Sequence, residues 1–320
     1  MSLPTHLTGH PAPSDYPPLV LTGLSKLRWA VKHPPADPAV TFAGKTILVT
    51  GANAGLGFEA AVKYAQKGCA KLILAVRSVD KGETAKKAIL ERSNRKSDNF
   101  ISILIVDLTR FESVQKFARA LNNECATTGL HIALLNAGIA NPSFTTGPHG
   151  YEQALQVNVL STALMAHLIV PLLRRTAATS TEKPHLTFVN SFGHTEPQKS
   201  WYAGPPSNGS LLAFTNTPAL FDQRKAYTSV KLLGMSVMLH FARTLVSADG
   251  TPDVIVNSCC PFFCRTELGR NFSTVWKTVF GAAQRFTARS AEEGARTLVG
   301  ASVLGSESVG AFWHHDVLYP

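Results

Sequence analysis

Charged residues are scarce in this chain. Asp, Glu, Lys and Arg together make up 16% of its 320 residues, while apolar residues make up 45%. That balance can fill a sizeable core, and it excludes a disordered or collagen-like polypeptide. Cysteines number only five, an odd count, and they are scattered along a chain too long to need staples. A disulfide scaffold is thereby excluded, and reduced thiols in the cytoplasm are expected. No apolar run approaches the ~18 residues that a membrane span requires, so none is expected. The opening Met1-Ser2-Leu3-Pro4-Thr5-His6 lacks a basic start leading into apolar residues, so no secretory signal is expected either. Cys259, Cys260 and Cys264 lie close together but have no further His or Cys at ligand spacing, so no metal is expected. There is no 20–50-residue repeat and no low-complexity tract. Acids are outnumbered by bases, 21 to 31, giving a net charge of +10. The densest basic group, Lys81, Lys86, Lys87, Arg92, Arg95 and Lys96, is mixed with Glu83 and Glu91, as on a solvated helix face. A nucleic-acid surface is therefore not expected, though part of the excess can serve a polyanionic small molecule.

What is present is a strong alternation of elements. Residues 1–40 hold eight of the 19 prolines and read as an irregular N-terminal arm. Within it Leu24, Leu27 and Val31 recur at helical spacing beside Lys26, Arg28, Trp29 and Lys32. This predicts a short helix packed on the protein's own surface and stopped by Pro34-Pro35; contact with a membrane surface is the alternative. Residues 41–320 then form one domain. Short apolar runs at 46–49, 72–76, 101–106, 132–135, 186–189, 254–256 and 311–313 alternate with helical patterns at 58–67, 111–122, 152–173 and 226–245. Strands apolar on both faces, separated by helices, specify a doubly wound α/β fold with a parallel sheet of about seven strands. Such sheets bind ligands beyond the carboxyl ends of their strands.

The first strand runs into Thr50-Gly51-Ala52-Asn53-Ala54-Gly55-Leu56-Gly57 and then directly into a helix. Glycines let the chain turn tightly and bring backbone N–H groups up to a pyrophosphate, and the helix N-terminus adds partial positive charge. The segment is similar to the T-G-x-x-x-G-x-G signature of the short-chain dehydrogenase/reductase family, matching at Thr50, Gly51, Gly55 and Gly57. The resemblance implies a Rossmann-type fold and nicotinamide-dependent oxidoreduction, with Asn53 and Leu56 in the cofactor loop.

The second strand ends in Val76-Arg77-Ser78, with no Asp or Glu between Leu72 and Val79. An acid here selects NAD through the ribose hydroxyls; a guanidinium meets the 2′-phosphate of NADP instead. NADP(H) is therefore expected, and the run from Ala75 to Glu83 resembles the NADP-preferring, retinol-dehydrogenase-like members. Asp107-Leu108 resembles the family's adenine-contacting pair, and Asn136-Ala137-Gly138 its N-A-G element, with Leu135 where an Asn is usual.

Tyr227 and Lys231, four residues apart on a predicted helix, share one face. An ammonium beside a phenol would lower its pKa from ~10 and suit it to acid–base work. In the family a serine holds the substrate oxygen beside this tyrosine; Ser191 corresponds to it, in an S-x-x-H register set by His194, with Asn190 replacing a frequent first serine. Asn158 matches the helix asparagine that positions a water against the lysine. Pro261 and Thr266 match a nicotinamide-contacting P-G-x-x-x-T, but Phe262 replaces its glycine, which puts those contacts in question. Aromatic-rich segments at about 195–225 and 267–289 suggest lids over a bulky apolar or aromatic substrate. The implied activity is an NADP(H)-dependent ketoreductase or alcohol dehydrogenase, similar to fungal reductases of secondary metabolism. A non-catalytic NADP(H)-binding regulator or scaffold is the alternative, and family members often pair as homodimers.

Overall fold

The apolar runs form the centre of a single sheet, whose order in the computed structural model is β3-β2-β1-β4-β5-β6-β7-β8. The structure describes residues 16–265 and 287–319, together with Leu268 and Gln284. The strands are β1 (Thr46–Thr50), β2 (Lys71–Val76), β3 (Ile101–Ile105), β4 (Ile132–Leu135), β5 (His185–Val189), β6 (Ile255–Cys260), β7 (Phe312–His314) and β8 (Val317–Tyr319). β1 to β7 pair in parallel; β8 returns antiparallel beside β7. The eighth strand exceeds the expected seven because the hairpin turns on two residues, His315 and Asp316, both with positive φ. Such a turn is ordinarily signalled by Asn or Gly, neither of which is there.

Ten described helical segments matter for the site: α1 (Pro17–Val20), α2 (Gly23–Lys32), α3 (Gly55–Gln66), α4 (Val79–Ser93), α5 (Phe111–Glu124), α6 (Gln153–Thr179), α7 (Leu211–Thr215), α8 (Gln223–Thr244), α9 (Ala291–Ala301) and a 3-10 turn, Phe192–Thr195. α5, α6 and α8 cover one face of the sheet through Phe117, Met165, Ile169, Met238 and Phe241. α3, α4 and α9 cover the other through Ala61, Tyr64, Ile89, Ala295 and Leu298. α6 is long and apolar enough to cross a membrane, but its Met165, Ala166, Ile169 and Leu173 pack against the sheet. α9 opens on the capping box that its sequence announces: Ser290 Oγ accepts from Glu293 N at 3.1 Å, and Glu293 reaches back to Ser290 N at 2.8 Å.

The described part of the arm, residues 16–40, holds two helices despite its prolines. α2 lies against the β7–β8 turn; of its apolar stripe Leu27 and Val31 are half-buried while Leu24 is exposed. The docking side chains are Trp29, whose ring meets His315 edge-on, Lys26, 4.3 Å above the Phe192 ring, and buried Ala30.

Candidate active site

At the end of β1, the Thr50 hydroxyl accepts from both Asn136 N and Ala137 N at 2.9 Å, and Asn136 Nδ2 donates to Thr50 O at 2.9 Å. These bonds tie the glycine loop to the turn after β4. Gly51 and Gly55 have φ of +67° and +55°, conformations that L side chains resist. A Cβ on Gly57 would overlap Gly51 O and the Asn136 amide, so only glycine lets α3 start this close to the strand end. Asn53 and Leu56 sit half-buried on the same loop. The result is a cradle of backbone opening onto a helix N-terminus, which fits a dinucleotide pyrophosphate.

Along the rim, Arg77 is exposed just past β2 and has no hydrogen-bond or ion-pair partner among the described residues. Its neighbour Ser78 caps α4, accepting from Lys81 N at 3.5 Å. Asp107 Oδ1 accepts from both the amide and the hydroxyl of Thr109, at 2.9 and 2.8 Å, which shapes the turn after β3, and Leu108 is buried in the core.

Tyr227 and Lys231 share one face of α8, with Lys231 Nζ 5.8 Å from the centre of the Tyr227 ring. Ser191, just past β5, accepts from Gly193 N at 3.2 Å and stands close enough to Tyr227 to pull its pKa down. Asn190 joins this group structurally: its Oδ1 accepts from Ser191 N at 3.0 Å and its Nδ2 donates to Lys231 O at 3.1 Å. His194 points back at the Ser191 carbonyl, 2.8 Å away, which accounts for the S-x-x-H spacing.

Asn158 lies in a π-helical turn of α6, Gln156–Leu160, a departure from α-helix found often at functional sites. Its side chain clasps Ile139, accepting from the amide at 2.9 Å and donating to the carbonyl at 2.8 Å, while a Cβ at Gly138 would come within 3.2 Å of its Oδ1. Between Asn158 and Lys231 is a cavity of about 20 Å³, room for one water.

The electrostatics differ from the sequence expectation. The Tyr227 phenol is pushed up to about 12, mainly by burial, with Ser191 pulling the other way. Lys231 is pushed down to about 8, again by burial. The ammonium therefore does not depress the phenol in this state. Nζ lies beside Val189 O at 3.4 Å, and the desolvation of each group outweighs their mutual attraction.

Pro261 is buried after β6; Thr266 and nearly all of the 267–289 segment lie outside the described residues. Phe262 has φ +67°, the region a glycine would occupy, and its ring is turned onto His315 and Arg289, at 4.9 and 5.9 Å. The substitution therefore keeps a glycine-like backbone at the cost of strain. In the 195–225 segment Phe214 is buried, as lid-to-body packing requires. Phe221 instead lines a small cavity with Ala140, Gln223 and Tyr227.

A sheet of this order with a glycine cradle and a Ser–Tyr–Lys cluster defines a nicotinamide-type oxidoreductase architecture. Residues 45–217 match the short chain dehydrogenase family, and the chain belongs to it. It is 42% identical over 295 residues to the short-chain dehydrogenase/reductase ffsI of Aspergillus flavipes, covering 92% of this chain and 84% of that relative. It is 39% identical to the short-chain dehydrogenase/reductase phmF of Phaeosphaeria nodorum, again covering 92% and 84%. Among solved structures, L-sorbose reductase from Gluconobacter frateurii, complexed with NADPH and L-sorbose, superposes with a TM-score of 0.62 at 18% identity. That match covers 87% of this chain and 97% of the other, a likeness of fold.

Proposed function

We propose that the protein is an NADP(H)-dependent ketoreductase or alcohol dehydrogenase acting on a bulky apolar or aromatic carbonyl or alcohol, in fungal secondary metabolism. The observation that carries this reading is the convergence of Ser191, Tyr227, Lys231 and Asn158 at the strand ends beside the glycine cradle. Thr50, Gly51, Asn53, Gly55, Leu56, Gly57 and the Asn136-Ala137-Gly138 turn would hold the dinucleotide, with Asp107 and Leu108 on the adenine side and Pro261 and Thr266 near the nicotinamide. Arg77, exposed and unpaired, would meet the 2′-phosphate with forked charge-assisted bonds. When bound, the nicotinamide supplies or accepts the hydride.

The chain's own residues handle the proton. Ser191 fixes the substrate oxygen, and Tyr227 donates its phenolic proton to that oxygen in the reductive direction. A phenol held near 12 stays protonated at neutral pH and is stocked as an acid. Lys231, held near 8, can hold or release a proton close to physiological pH, and it would also anchor the nicotinamide ribose. A water in the cavity between Asn158 and Lys231 would connect the lysine onward. Phe221, lining the cavity beside Tyr227, suits an apolar substrate face. The non-catalytic alternative rested on Phe262, and the glycine-like φ of that residue removes its support.

The test is Tyr227→Phe, assayed by nicotinamide absorbance against a panel of aromatic and aliphatic ketones. Turnover should vanish while NADPH binding stays within about threefold, because the phenol contributes chemistry more than cofactor affinity. Persisting turnover would remove the acid–base assignment.

A further inference from the structure

Cys260 ends β6 and is buried. Its sulfur accepts two backbone hydrogen bonds, from Phe192 N at 3.3 Å and from Phe262 N at 3.3 Å. Phe192 follows Ser191 directly, and Phe262 is the residue in left-handed conformation after Pro261. The Cys260 carbonyl takes a third bond, from His314 Nδ1 at 3.0 Å, and the His314 ring stacks on Phe192 at 5.2 Å and lies 5.6 Å from Phe262. One residue thus joins the loop carrying Ser191, the strained turn after β6 and the C-terminal hairpin.

We infer that Cys260 is a positioning residue, whose thiol sulfur clamps the Ser191 loop to the Phe262 turn and holds Ser191 in register with Tyr227. The inference rests on the proposed reductase reading for its catalytic consequence, but the clamp itself is a feature of the fold. Nothing else among the described residues accepts these two amides, and unpartnered buried N–H groups are costly. Phe262 makes the clamp more consequential. A bulky residue with positive φ persists only when its surroundings over-determine it, and its amide bond to sulfur is part of that determination. Burial raises the pKa of Cys260, so the thiol stays protonated at neutral pH, and its sulfur still has two lone pairs for the two amides.

The experiment compares Cys260→Ala, Cys260→Ser and the double variant Cys260→Ala/Phe262→Gly with the full-length wild type. Alanine removes the acceptor; serine keeps one. Cys260→Ala should lower kcat about tenfold with a smaller change in KM, because sub-ångström misplacement of a substrate-holding group acts mainly on the chemical step. Serine should restore kcat to within about twofold, and glycine at 262 should recover part of the alanine loss by removing strain. A second readout needs no turnover: amide hydrogen exchange at Phe192 and Phe262 should accelerate about tenfold or more in the alanine variant and stay near wild type in the serine variant. Unchanged exchange at both amides in Cys260→Ala, or a serine variant exchanging as fast as alanine, overturns the clamp. An unchanged kcat in an active enzyme overturns its catalytic role. If the wild type reduces no ketone in the panel, the reductase reading fails, and the exchange data still decide the clamp.

Discussion

Arg289 carries the largest stability prediction. Its side chain is 1% exposed, and burial pulls its pKa down against the attraction of Asp316 and Glu293. Its three acceptors are uncharged: Ala30 O at 2.9 Å, His33 O at 2.7 Å and His315 Nδ1 at 2.7 Å. Two of them are carbonyls at the C-terminal end of α2, where the helix dipole is negative, so the arm's last turn adds to the attraction of Asp316 and Glu293. Removing residues 1–33 strips those two acceptors from a buried cation. Stranding a buried charge typically costs about 3–5 kcal/mol. At roughly 2–4 °C per kcal/mol for a large domain, the melting temperature should fall by roughly 6–20 °C. Arg289→Met keeps an apolar stem and removes the charge, so it should cost only about 1–3 kcal/mol, the range for lost hydrogen bonds to a charged group. The decisive measurement is the cycle, by thermal and urea unfolding of wild type, each single change and both together. In the methionine background the same truncation should cost at least about 2 kcal/mol less than in wild type, because no guanidinium is left stranded. Strict additivity would refute the latch and leave Trp29 and Lys26 packing as the whole contribution of the arm.

Two further outcomes follow from the site. Lys231 titrates near 8 in the folded protein against 10.5 ordinarily, so below about pH 8 both states are protonated and the folded state bears the full cost of burying the ammonium. Between 8 and 10.5 the unfolded chain binds more protons, and stability rises with pH until the cost is gone. Lys231→Met should therefore melt higher than wild type at pH 6.5 while losing turnover, with the advantage fading toward pH 10.5; a variant no more stable at pH 6.5 contradicts the burial argument. Arg77→Ala should weaken NADPH binding about 10–100-fold, the worth of a forked charge-assisted contact, and leave NADH nearly unchanged. Calorimetric titration with both nucleotides checks this, and equal losses would count against the 2′-phosphate assignment.

The parallel sheet was legible because strands buried on both faces must be apolar at their centres, as Ile47–Val49, Leu72–Val76 and Ile132–Leu135 are. The glycine loop was legible because its backbone geometry excludes other residues at Gly51 and Gly57. Tyr227 and Lys231 were legible from an i, i+4 spacing that shares a helix face, together with their place after the fifth strand and the earlier motifs. Their pKa shifts were not. The sign depends on how far each group is desolvated relative to how closely the charges approach, and neither quantity is written in the spacing. Asn158 was picked out by its match to the family's helix asparagine, but the π turn around it and its clasp on Ile139, in the connection before α6, are seen only in the structure.

The features that the sequence hid have a common origin. Arg289 is met by the carbonyls of Ala30 and His33, Cys260 by the amides of Phe192 and Phe262, and Phe262 matches a glycine in a dihedral angle that it reaches only under constraint. Each depends on main-chain groups, which every residue possesses and no residue type advertises. The same holds for the arm: its apolar stripe suggested one docking face, and α2 docks also through Lys26, Trp29 and the carbonyl end of the helix. Replacing Leu24, the exposed member of that stripe, therefore tells little about docking, whereas the Arg289 cycle reads it directly.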